Sequence, residues 1–199
     1  MEMSLNEVES LALKAGRGAG LPWGVAEDAG HRARWLAQRT DAWAASLLML
    51  LEEPPEASRC PFCLGSFVAD SAGAPIDRGF RNVAVPLWLI PALWEAAKAG
   101  ICAVMARMAE IDVFCMSDGC VTVSPAWPVL EGLAQADLHI RMPAPRHAML
   151  PCVLSPRIGR PRITAVLHAR LEAYAAHTYV PATAESRLKG AGAGPRDDD

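Results

Sequence analysis

The apolar residues of this 199-residue chain recur at two different spacings, and the switch between them limits the fold more than any single motif. From Leu5 to Leu51 they return every three or four residues, which lays one stripe along a helix. Through the middle of the chain, short runs such as Cys120-Val121-Thr122-Val123 and Leu138-His139-Ile140-Arg141 alternate as half-buried strands do. Helices first, then strands, then a last helix imply an α+β fold with a mostly antiparallel sheet, not a βαβ repeat.

The punctuation supports the helical part. Ser4-Leu5-Asn6-Glu7 is a capping box, in which the serine hydroxyl takes the Glu7 amide and the glutamate returns to the Ser4 amide. Leu5, Val8, Leu11, Ala12 and Ala15 then share a stripe, and Gly16 supplies a stop. Pro22, with its fixed φ, suits the first position of a second helix running to Gln38, with Val25, Ala29, Ala33 and Leu36 inward. On its face Glu27 can pair with His31 and Asp28 with Arg32, each four apart. Thr40 or Asp41 caps a third helix carrying Trp43, Leu47, Leu48, Leu50 and Leu51, which Pro54-Pro55 ends.

These three helices form a head over residues 1–53. A strand-rich middle is expected over 60–160, with a helix and glycine-rich tail over 161–199, all within a single domain of 1–199. In the middle, Leu64–Ala69 reads as a short strand followed by a loop. Pro91 opens a helix that Gly100 closes. Ile101–Met105 and Ile111–Met116 read as strands, and Ser117-Asp118-Gly119 turns the second into a hairpin with Cys120–Val123. Further strands are expected at Leu138–Arg141 and Met149–Leu154, and a last helix over Ile163–Ala176.

Composition removes several functions. A net charge of −3 leaves no basic excess for nucleic acid. The arginines between Arg141 and Arg170 are broken up by five prolines and read as a solvated loop. No apolar run is long enough for a membrane span, and the acidic start leads directly into an amphipathic helix, so a secretory leader is not expected. A cytoplasmic protein is expected, with its six cysteines as free thiols.

Few motifs carry chemistry. Cys60-Pro61-Phe62-Cys63 has the spacing of half a zinc knuckle, but no second half follows, and no βαβ context favours a redox dithiol. No metal is expected, and no motif names a cofactor. There is no HExxH, no nucleophile elbow and no Walker lysine. Gly190–Gly194 lacks the strand and helix that a dinucleotide loop needs, and Asp197–Asp199 would repel a phosphate.

What remains is a pair of glycine-studded, arginine-bearing segments at opposite ends: Arg17-Gly18-Ala19-Gly20-Leu21-Pro22-Trp23-Gly24, and Thr178–Thr183 with Ser186-Arg187 before the terminal glycines. Arginine offers a bidentate fork for carboxylate or phosphate, and amides near glycines complete an anion nest. The expectation is a site where the two ends meet. Arg17 and Arg187 would clamp an anion there, Trp23 and Tyr179 would wall it, Thr183 and Ser186 would assist, and Glu27 would be the candidate base. The plainer alternative is a tail docked along the head, with both arginines in salt bridges.

These same segments, together with Ser4–Glu9, Lys14–Gly20, Pro22–Glu27 and Arg34-Trp35-Leu36, resemble a bacterial family catalogued as domain of unknown function 3726. Ala184-Glu185 and Pro195-Arg196-Asp197 depart from the family's pattern and are left out of the candidate site. The resemblance implies no reaction. The residues themselves suggest an anionic-metabolite-binding enzyme or accessory of organic-acid or amino-acid metabolism. The alternative is a non-catalytic assembly protein, including a homo-oligomer, that uses its six Trp and apolar stretches such as Val83–Trp94.

Overall fold

The structure, a computed structural model, describes residues 1–71, 74–100, 103–124, 126–143, 154–157 and 159–179. The three head helices are α1 (Leu5–Gly18), α2 (Trp23–Ala37) and α3 (Trp43–Glu52). The capping box forms as the sequence implies: Ser4 Oγ accepts from the Glu7 amide at 3.2 Å, and Glu7 Oε2 from the Ser4 amide at 2.5 Å. The Ser4 backbone amide, followed by the Ser4 hydroxyl, holds the Glu7 carboxyl below the ordinary carboxylate range.

α4 (Pro61–Asp70) overturns one expectation, because Leu64–Ala69 is helical and not a strand. The reason is visible in the spacing: Leu64, Phe67 and Val68 recur at three and four, and Pro61 occupies the first turn. A second correction follows directly. Part of what reads as loop is β1 (Ile76–Ala84), an edge strand that buries only Ile76 and Val83 and so shows no alternating pattern. After it, a 3-10 turn (Pro86–Leu89) leads into α5 (Ile90–Ala99), the helix expected around Pro91.

The remaining strands are β2 (Val104–Met108), β3 (Ile111–Cys115), β4 (Val121–Ser124) and β5 (Gln135–Met142), with a short α6 (Trp127–Glu131) before β5. The sheet order is β1-β5-β2-β3-β4, antiparallel throughout. β2 lies later than expected because Met108 pairs with Ile111 across a two-residue connection, whose Ala109 takes φ 52°. Neither Ala109 nor Glu110 is a turn-forming residue, so this hairpin carries no sequence signal. α7 (Ala165–Ala176) is the expected last helix. Of the Met149–Leu154 strand, only Leu154 is described; its amide donates to the Val121 carbonyl at 2.7 Å. The glycine-rich tail lies outside the described residues.

One core joins head and sheet. Trp43 and Trp88 are fully buried, Phe62 meets Trp88 edge-on at 5.3 Å, and the Trp88 indole N–H donates to Ser46 Oγ at 2.9 Å. α5 packs on β2 and β3, while α1 is held between α2 and α7. That second packing brings three helix ends to one place. No helix among the described residues is long and apolar enough to cross a membrane.

Candidate functional site

α1 ends at Gly18, α2 starts at Trp23, and α7 passes at its end into His177, Thr178 and Tyr179. These three ends converge because α7 comes unusually close to α1. A Cβ on residue 18 would lie 1.7 Å from the Tyr174 carbonyl oxygen, so only glycine lets the two backbones approach this far. Gly20, at φ 93°, then turns the chain toward Pro22. His177 Nδ1 stands 3.2 Å from the Gly18 carbonyl oxygen. A carbonyl only accepts, so this nitrogen is the one that donates.

Between the three ends lies a cleft of about 470 Å³, lined by Leu13, Lys14, Arg17, Trp23, His177 and Thr178. Arg17 Nη1 donates to the Leu21 carbonyl at 2.7 Å, which fixes the arm and leaves the other guanidinium donors with no protein partner among the described residues. The guanidinium carbon sits 5.4 Å from the Trp23 ring centroid, and Lys14 Nζ sits 5.7 Å from that of Tyr179. Both rings are largely exposed, Trp23 at 59% and Tyr179 at 58%. Among the described residues, no carboxylate lines the cleft, so two cations and an imidazole face it with no acidic neighbour in the lining.

Of the residues expected from sequence, Arg17 and Trp23 line the cleft, while Tyr179 stays outside its lining with its ring near Lys14. Thr183, Ser186, Arg187 and the glycines after them lie outside the described residues. Glu27 is half-buried on α2, one turn beyond Trp23, and does not line the cleft. His31 does not pair with Glu27; its Nε2 meets Glu9 Oε1 at 3.2 Å, because α1 lies across that face. Lys14 and His177 were not expected in the site. The usable signal for Lys14 was its spacing, three before Arg17 on the same helix. For His177 there was none, since its place depends on how closely α7 docks.

A second arginine behaves differently. Arg32 on α2 is 2% exposed, and Nη2 meets Asp28 Oδ2 at 3.0 Å, the pairing its spacing implies. Its Nη1 donates to the Phe62 carbonyl at 3.1 Å and, at 3.4 Å, to that of Pro61. Ser66 Oγ donates to the same Asp28 oxygen at 2.7 Å. A Cβ at Gly65 would lie 2.5 Å from Nη1, so the guanidinium fills the space a side chain there would take. Burial lowers the pKa of Arg32, with Asp28 opposing.

A larger cavity, about 560 Å³, opens between α3 and the ends of β1 and β5, but Glu52, Glu53 and Glu56 line it. Its one arginine, Arg59, is engaged with the Asn82 carbonyl at 2.8 Å and Gln135 Oε1 at 3.2 Å. Size alone does not make it the better anion site. Among the described residues, no group of three His, Cys, Asp or Glu is placed to hold a metal ion.

The profile of the family described as Protein of unknown function (DUF3726) matches residues 3–43. The resemblance read from the opening of the chain is thus shown over α1, α2 and the start of α3, a stretch that includes Lys14, Arg17, Trp23 and Glu27. No curated protein and no solved structure matches the chain.

Proposed function

We propose that the cleft between α1, α2 and the end of α7 binds a small organic anion, a carboxylate or phosphate of the kind found in organic-acid and amino-acid metabolism. The observation that carries this reading is the lining: Lys14, Arg17 and His177 beside Trp23, with no acidic residue among them. Arg17 would take two anionic oxygens with its free donors, Lys14 would add a point charge, and the Trp23 face would cover the apolar part of the molecule. The volume lies within the range of small-molecule sites. The reading is one of binding; Glu27, outside the lining, is given no catalytic part in it. A cytoplasmic setting goes with this choice of ligand.

The experiment is a thermal-shift screen against small carboxylates, amino acids and phosphates. At a hundredfold excess over its dissociation constant, a ligand should stabilise the fold by roughly 2.7 kcal/mol. The shift should appear with one anion class and be lost in Arg17→Ala. No shift with any class would remove the proposal.

The exposure of Trp23 and Tyr179 favours a second reading, in which a partner or another copy of the chain covers them, since such rings often anchor interfaces. Light scattering at micromolar concentration separates the two. A dimer broken by Trp23→Ala, in protein that no anion stabilises, would support assembly.

A further inference from the structure

The two cysteines of Cys60-Pro61-Phe62-Cys63 lie at the start of α4, away from the anion cleft. Cys60 is the N-cap residue, extended at φ −76° and ψ 118°, and Pro61 opens the first turn, so Cys63 is the third helical residue. The same offset lets a capping-box side chain reach back across the first turn, and here it sets Cys63 one turn on from Cys60, near enough for each thiol to act on the other. Both are free thiols.

The surroundings of the pair are specific. The Arg32 guanidinium donates to the Phe62 and Pro61 carbonyls, which lie between the two cysteines in the chain, and its charge acts on both sulfurs. A buried cation and a helix N-terminus both favour a thiolate here. Burial, followed by the neighbouring Cys60, pushes the Cys63 thiol up, and Arg32 opposes them. Access differs within the pair: Cys63 is half-buried, while Cys60 is 6% exposed. Cys115 lies in a strand with no helix N-terminus beside it; it is fully buried, and burial drives its thiol far up against the opposing charge of Arg39.

We propose that Cys60 and Cys63 form a redox-active dithiol that exchanges with small-molecule disulfides and closes to a Cys60–Cys63 disulfide. Cys63, the accessible sulfur, gives up its proton to solvent and attacks one sulfur of the small disulfide. The small S–S bond breaks, and one thiolate leaves and takes a proton. Cys60 then loses its proton and attacks the Cys63 sulfur, breaking the mixed disulfide and releasing the second small thiol. Two protein thiols are oxidised to one disulfide, and one small disulfide is reduced to two thiols. Run in reverse, a small thiol reopens the pair.

The test uses the full folded chain, treated with oxidised glutathione, quenched in acid, then unfolded and alkylated. Arg59 and Arg78 bracket a tryptic peptide, Cys60–Arg78, that holds both cysteines. In wild type this peptide is expected two hydrogens lighter and closed to alkylation, and dithiothreitol should reverse this. Cys60→Ser should stop at a glutathione adduct on Cys63, and Cys63→Ser should carry none on Cys60. The proposal is overturned if the wild-type peptide remains fully alkylated, or if it carries a lasting adduct on Cys63 beside a free Cys60. An adduct on Cys60 in Cys63→Ser would overturn the assigned order of attack.

Discussion

Arg17 and Arg32 both belong to the helical head, yet they leave opposite amounts of their chemistry available. Arg32 is buried in mid-helix and engages Asp28, the Pro61 carbonyl and the Phe62 carbonyl, so its fork is consumed by the chain itself. Arg17 is half-buried in the last turn of α1 and spends one donor on Leu21, with an aromatic face beside it and an open cleft in front. The difference comes from position along the helix: a mid-helix arginine facing a neighbouring helix is absorbed as structure, while one at a converging end stays free for a ligand. Residue type alone would have ranked them equally.

The largest expected effect tests the buried side of this pair. Arg32→Met leaves Asp28 and the α4 carbonyls without their cation and should cost about 3 kcal/mol. For a chain of this size that is roughly 6–12 °C in a thermal melt. Arg17→Ala should cost about 1 kcal/mol or less, because it loses a single hydrogen bond. Equal losses for the two would erase the distinction.

Next in size is the glycine that creates the cleft. Gly18→Ala meets the Tyr174 carbonyl and should cost about 1–3 kcal/mol, with faster hydrogen exchange along α7. Gly24→Ala, whose Cβ would meet nothing within 4 Å, should be neutral or stabilising by about 0.5 kcal/mol. If α7 exchange is unchanged in Gly18→Ala, the close approach does not hold the site together.

The smallest effect probes the field around Arg32. Desolvation raises the Glu95 carboxyl above its ordinary range, and Arg32 only partly opposes this. A raised carboxyl pKa means the folded state binds the extra proton, so the contribution is favourable at low pH and is lost as pH rises through the raised value. Glu95→Gln should therefore be slightly more stable than wild type at pH 7, by a few tenths of a kcal/mol, with the gap closing below pH 4.5. Wild type more stable than Glu95→Gln at pH 7, with that gap closing on acidification, would show instead that Arg32 dominates Glu95.

The head was legible in sequence because its signals are local: a capping box at Ser4, Pro22 before the second helix and Pro54-Pro55 after the third. The β3–β4 hairpin was legible for the same reason, through Asp118-Gly119. α4 was misread because Phe67-Val68 suits a strand and its helical spacing spans few residues. β1 went unseen because its pairing with β5, from Ile76 opposite Met142 to Ala84 opposite Gln135, is set by a distant partner. The site divides in the same way. Arg17, Trp23 and Tyr179 could be picked out by type and glycine context, and Lys14 by its spacing from Arg17, whereas His177 reaches the cleft only through the docking of α7 on α1.

The most direct test of the anion cleft is a titration followed on the tryptophan indole N–H resonances, with Trp23 assigned through Trp23→Phe. A small carboxylate or phosphate from the thermal-shift screen should move the Trp23 resonance to saturation, leave those of buried Trp43 and Trp88 in place, and lose this effect in Arg17→Ala. Saturable movement of other indoles with Trp23 unmoved, or an undiminished response in Arg17→Ala, would contradict the assignment of this cleft.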